Sequence, residues 1–115
     1  MANNIVPINQ KRGDLYQKML SAFEAADVAD VIEQVGFLAG GFPQGRRSEE
    51  SVRTSVEAYT MAVEGLPIEP IQMAVRNFLC GDVPDQNPAF MPSAAEFSKE
   101  CRRVFFIWEY QQREA

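Results

Sequence analysis

The stretch Phe90-Met91-Pro92-Ser93-Ala94-Ala95-Glu96-Phe97 constrains this chain more than any other, because it dictates where its most aromatic helix must begin. A serine followed three residues later by a glutamate can satisfy two orphan amides reciprocally. The hydroxyl accepts from the N3 amide, and the carboxylate reaches back to the N-cap amide. Ser93 and Glu96 are therefore expected to be structural capping residues. Downstream, Phe97, Cys101, Val104, Phe105 and Trp108 recur at steps of three and four, which places them on one side of a helix continuing to about Gln112.

Residues 104–108 are five consecutive large apolar residues, and a single helix cannot point all five into one core. Phe106 and Ile107 lie off the stripe and need cover from another helix of the chain or from a partner surface. Together with Tyr110, and with Arg102 and Arg103 at the rim, they form the expected partner-binding set. Aromatic anchors beside arginine are what the centres of protein interfaces are enriched in.

The remaining chain reads as helices separated by breakers. Residues 1–12 show no period and are expected as a flexible N-terminal tail, leaving 13–115 as one helical domain. Asp14, with Gln17, can cap a helix carrying Leu15, Met19, Ala22, Phe23 and Ala26, and Asp27 can cap Val28, Val31, Ile32 and Val35. This segment is either one bent helix or two short ones meeting near Ala26. Glycines 36, 40, 41 and 45 with Pro43 end it by about Gly40. Ser48 caps the next helix, whose Glu49 and Glu50 suit the positive end of its dipole, and Val52, Val56, Tyr59 and Val63 form its apolar stripe. Gly65 fits a left-handed termination, with Leu66 packing back on Met61 and Pro67 barring continuation. Pro67 and Pro70 bracket the first turn of a further helix with Ile71, Val75 and Phe78 facing inward, which Gly81 stops. The proline-rich run from Asp82 to Met91 is a loop. The expected fold is all-α, a small single-domain bundle of four or five helices.

Composition narrows the chemistry. The 115 residues include no histidine, which removes the commonest general base and metal ligand. Cys80 and Cys101, the only cysteines, are 21 positions apart and sit on apolar helix faces, so they read as buried free thiols in a reducing compartment. The glycines near residue 40 lack the Gly-Lys-Ser/Thr ending of a phosphate loop. No catalytic, cofactor-binding or metal-binding residue is expected. Eleven basic against sixteen acidic residues give a net charge of −5, which argues against direct nucleic-acid binding, although the pairs Arg46 with Arg47 and Arg102 with Arg103 are local basic patches. No apolar run is long enough for a membrane span or a signal peptide, so a cytoplasmic location is expected.

Three segments carry a resemblance. They are Tyr59-Thr60-Met61-Ala62-Val63-Glu64-Gly65-Leu66-Pro67, then Ala74-Val75-Arg76-Asn77-Phe78-Leu79, then Phe90-Met91-Pro92-Ser93-Ala94-Ala95-Glu96-Phe97. A helix ending in a Leu-Pro step, a second helix, a variable loop and a Phe-x-Pro-Ser lead-in resemble the phage and prophage replicative-helicase loader and inhibitor family over about residues 48–103. The resemblance implies a noncatalytic phage protein of DNA replication that binds a hexameric replicative helicase in the host cytoplasm. Two other readings fit a small acidic phage-type protein. One is an anti-CRISPR-type inhibitor that presents carboxylates to a nucleic-acid-binding defence protein, and the other is a structural or assembly adaptor, for which a homodimer is the expected partner.

Overall fold

The structure, a computed structural model, describes residues 8–43, 45 and 47–115, the first five of these by backbone only. It contains helices α1 (Ile8–Leu20), α2 (Val28–Gly40), α3 (Glu49–Ala62), α4 (Ile68–Cys80) and α5 (Ala94–Glu114), and no strand among the described residues. The all-α expectation holds, with five helices. Helices α2, α4, α5 and α3 touch in that order and close back on α2, forming a four-membered ring.

Helix α5 is the element on which the others converge. Its start is the full capping box: Ser93 Oγ accepts from the Glu96 amide at 3.1 Å, and a Glu96 carboxylate oxygen accepts from the Ser93 amide at 3.0 Å. One residue later Phe97 is completely buried, its ring 5.8 Å from Tyr59 of α3 and 6.4 Å from Phe78 of α4. Two turns on, Phe105 is a second buried hub, 5.9 Å from Tyr16 on α1 and 6.1 Å from Phe23 just beyond it. Phe97 thus ties α5 into the ring, and Phe105 fastens α1 to its outside.

The stop signals work locally. Gly81 takes the left-handed conformation at φ 77°, which lets the Asp82 amide donate to the Asn77 carbonyl at 2.8 Å and close α4. The following loop folds back on that end, with Gln86 Nε2 donating to the Phe78 carbonyl at 2.8 Å. Ser48 caps α3 by accepting from the Ser51 amide at 3.0 Å.

Several expectations are corrected. Residues 8–12 are helical rather than part of a tail, and residues 1–7 lie outside the described residues. Asp14 accordingly sits inside α1, not at its cap; Gln10, Lys11 and Arg12 are strong helix formers, and α1 runs on through Gly13 despite its poor propensity. Segment 14–40 is two helices, separated by residues 21–27. The Ala26 amide donates to Leu66 across the molecule at 2.8 Å, and Asp27 caps α2 from the Ala29 amide at 3.2 Å. Of the expected stripe Met19, Phe23 and Ala26 pack on the core, whereas Leu15 and Ala22 are exposed and Tyr16 and Leu20 face inward in their place.

Helix α3 buries no residue fully. Val52 is exposed, Val56 and Tyr59 are half-buried, and the buried Val63 lies just past the helix. Gly65, at φ 89°, comes after that end, and Met61 is 72% exposed rather than covered by Leu66. Of the two cysteines only Cys101 is buried; Cys80, the last residue of α4, is exposed.

Two substitutions separate the local from the tertiary contribution of the α5 start. Ser93→Ala is expected to lower unfolding free energy by ~1 kcal/mol, the usual loss of a side-chain cap. Phe97→Ala is expected to lower it by about 3–5 kcal/mol, because it empties a fully enclosed aromatic site. Urea denaturation followed by circular dichroism measures both, and comparable losses would contradict the ranking.

Candidate protein-binding surface

The five residues expected to bind a partner all lie on the outer side of α5. Phe106, Ile107 and Tyr110 are 45%, 47% and 55% exposed, and Arg102 and Arg103 are exposed beside them. At 3.6 residues per turn the five occupy roughly 140° of the helix circumference, together with the exposed Lys99 and Arg113. They do not form one uniform patch. Phe106 borders α1, with its ring 5.7 Å from Tyr16, so the chain covers part of it. Tyr110 makes no ring contact with another aromatic among the described residues and instead meets its neighbour Arg113, whose guanidinium carbon is 5.5 Å from the ring centre.

The arginines on this surface are held from below. Glu100 is buried on the inner side of α5, and Arg103 reaches back one turn to it, Nε to Oε1 at 2.6 Å and Nη2 to Oε2 at 2.8 Å. Asn77 of α4 donates to the same carboxylate at 3.0 Å, so Glu100 also links α4 to α5. Glu109 is the second buried carboxylate. Its Oε1 pairs with Arg113 Nε at 2.6 Å, whereas its Oε2 has no hydrogen-bond partner. Arg102 has only a 3.3 Å bond from Nε to the Ser98 carbonyl and carries an unpaired charge among the described residues.

These buried acids could not be read from the sequence, where glutamates on a helix look like solvated charges. The available signal was their i+3 and i+4 arginines, a spacing that allows pairing without specifying burial. Burial by itself would raise the Glu100 carboxyl, but the hydrogen bonds from Arg103 and Asn77 and the charge of Arg103 hold it below the ordinary range. Burial and the neighbouring Glu100 push the Cys101 thiol far up, so it stays protonated and inert.

The second basic patch divides differently. Arg47 folds onto α3, donating from Nη2 to the Ser51 carbonyl and hydroxyl at 3.1 Å each and to the Ser55 hydroxyl, which commits its guanidinium to the helix; Arg46 lies outside the described residues. Among the described residues no three histidine, cysteine, aspartate or glutamate side chains cluster to hold a metal ion, and no helix is long and apolar enough to cross a membrane.

One surface was missed. Between α2 and α3 runs an apolar groove of about 520 Å³ whose walls include the exposed Val28, Ile32 and Met61. Val28 and Ile32 follow the same cap as Val31 and Val35, and the structure buries the latter two while leaving the former two exposed. An acidic cleft of about 500 Å³ lies on another side, where Glu24, Asp27, Asp30 and Glu69 surround the edge of Trp108.

The lowered Glu100 carboxyl has a pH signature whose sign is fixed. The group titrates below its unfolded value of about 4.3, so its stabilisation is present above that pH and is lost as pH falls through the lower, folded value. The stability difference between the parent and Glu100→Gln is expected to be constant above about pH 5 and to shrink below about pH 4. Urea titrations from pH 3 to 7 read it, and a difference that grew toward acid would show that the carboxylate is not held ionised.

No protein-family model matches the chain, and neither the curated proteins nor the solved structures searched contain a significant match.

Proposed function

We propose that this chain is a noncatalytic protein that works by binding another protein through the outer face of α5, and that its partner is a hexameric replicative helicase. The observation that carries the binding reading is the exposure of Ile107 and Tyr110 between arginines that buried glutamates already hold in place. An interface built on fixed side chains loses less conformational freedom on association, and isoleucine, tyrosine and arginine together supply apolar area, an amphipathic ring and directional charge. The identity of the partner rests on the resemblance of residues 48–103 to the helicase loader and inhibitor family. On that reading the phage-encoded chain restrains the host helicase and helps deliver it during DNA replication, in the cytoplasm and without a cofactor.

A second reading is favoured by the acidic cleft around Trp108. Its four carboxylates could face the basic channel of a nucleic-acid-binding defence protein, as an anti-CRISPR-type inhibitor does.

Purified chain mixed with the replicative helicase hexamer of a candidate host, followed by light scattering after size exclusion, tests the first reading. A stable complex is expected, and Ile107→Ser with Tyr110→Ser should weaken it at least about tenfold, as loss of central anchors does. Binding that survives both substitutions, in a chain still helical by circular dichroism, would move the site elsewhere. Absence of any complex would remove the helicase, and salt-sensitive capture of a DNA-binding effector, lost on Asp30→Asn with Glu69→Gln, would support the second reading.

A further inference from the structure

The groove between α2 and α3 and the outer face of α5 are complementary, and they lie on different parts of the same molecule. The apolar lining of the groove includes the exposed Val28, Ile32 and Met61 and the buried Leu66, and its charged lining residues are Glu57 and Glu64. Neither glutamate is in an ion pair among the described residues. The α5 face has the opposite character: Phe106, Ile107 and Tyr110 protrude, and the charges beside them are Lys99, Arg102, Arg103 and Arg113. Lys99 and Arg102 are likewise without an acidic partner among the described residues. Two unfilled charge sets of opposite sign, each with its own apolar anchors, are the elements of one interface split between its two sides.

We propose that the chain self-associates head to tail, the outer face of α5 of one copy docking in the α2–α3 groove of the next. The groove volume of about 520 Å³ is in the range that admits a few large side chains, which is what Ile107, Tyr110 and part of Phe106 present. Because donor and acceptor surfaces differ, the contact is heterologous, and a pair of copies keeps one free groove, on the copy that donated its α5 face, and one free α5 face, on the copy that received it. Such contacts build rings or open chains rather than closed two-fold dimers. The proposal shares the α5 face with the partner-binding reading but needs the groove as well, so self-association and helicase binding would compete for one surface.

Sedimentation velocity over a range of protein concentrations and salt tests it. The parent is expected to exceed its 12.9 kDa monomer mass progressively with concentration, and to return toward the monomer as salt rises. Met61→Glu destroys the groove and Ile107→Glu destroys the docking face; both positions are exposed, so the fold should persist by circular dichroism. Each variant alone is expected to stay monomeric. Mixed in equal amounts, they should form a complex that stops at two chains, because one variant retains an intact groove and the other an intact α5 face. A parent that is monomeric at every concentration overturns the proposal, and so does an associating parent whose two variants fail to pair when mixed. Met61→Glu keeps the α5 face and, freed from competing self-association, should bind helicase at least as well as the parent, so a failure here is distinguishable from a failure of the partner-binding reading.

Discussion

Everything in this fold depends on Phe97 being placed at the centre of the ring while the backbone around it is still starting a helix. A side chain so near a helix terminus would ordinarily be carried by a fraying end, where the first amides lack partners. The Ser93–Glu96 box removes that weakness by satisfying amides on both sides of the cap, so the ring of Phe97 is delivered between Tyr59 and Phe78 from a fixed origin. From this origin the helical repeat sends Cys101, Val104 and Phe105 inward and Phe106, Ile107 and Tyr110 outward. The core and the binding face are consequences of the same phase, and a shift of one residue in the α5 start would turn both by about 100°.

The outward face is not simply what the core leaves over. Glu100 and Glu109 are drawn into the interior, and each recovers part of its lost solvation from an arginine three or four residues later. A buried ion pair of this kind is a poor source of net stability, because desolvation offsets most of the attraction. Its effect on geometry is larger. Arg103 and Arg113 are anchored at the edge of the helix with their guanidinium groups still reaching solvent, one on either side of Ile107 and Tyr110. The interior thus determines where the surface charges stand.

What could be read from the sequence was what depends on neighbours a few residues apart. The caps at Asp27, Ser48 and Ser93, the stop at Gly81 and the alternation of core and outer residues on α5 all follow from spacings of two to five positions, and each occurs as expected. What escaped depends on which helix lies opposite. The inward turn of Tyr16 in α1 is set by its ring meeting Phe105, a contact between residues 89 positions apart, so it could not be told from the adjacent Leu15 by local spacing. The same holds for the binding surfaces. The exposed anchors of α5 follow from the sequence because no single helix can bury five consecutive large residues, whereas the groove at Val28, Ile32 and Met61 exists only where α2 and α3 come together.

Helix α3 is the least anchored member of the ring. It buries no residue fully, and beyond the Arg47 bonds at its N-terminal end its specific ties are the hydroxyl of Tyr59 donating to the Pro92 carbonyl, the Ala62 carbonyl accepting from Ser98 at 2.7 Å, and the contact of Tyr59 with Phe97. All three ties end at the start of α5. Segments with few buried apolar contacts open at lower free energy than the elements around them. The wall of the groove formed by α3 is therefore the part of the bundle whose order is most sensitive to what occupies the groove. An occupant that covered Met61 and Ile32 would add to α3 the burial that it lacks. It would do so on the helix whose Tyr59 ring meets Phe97 at the start of α5.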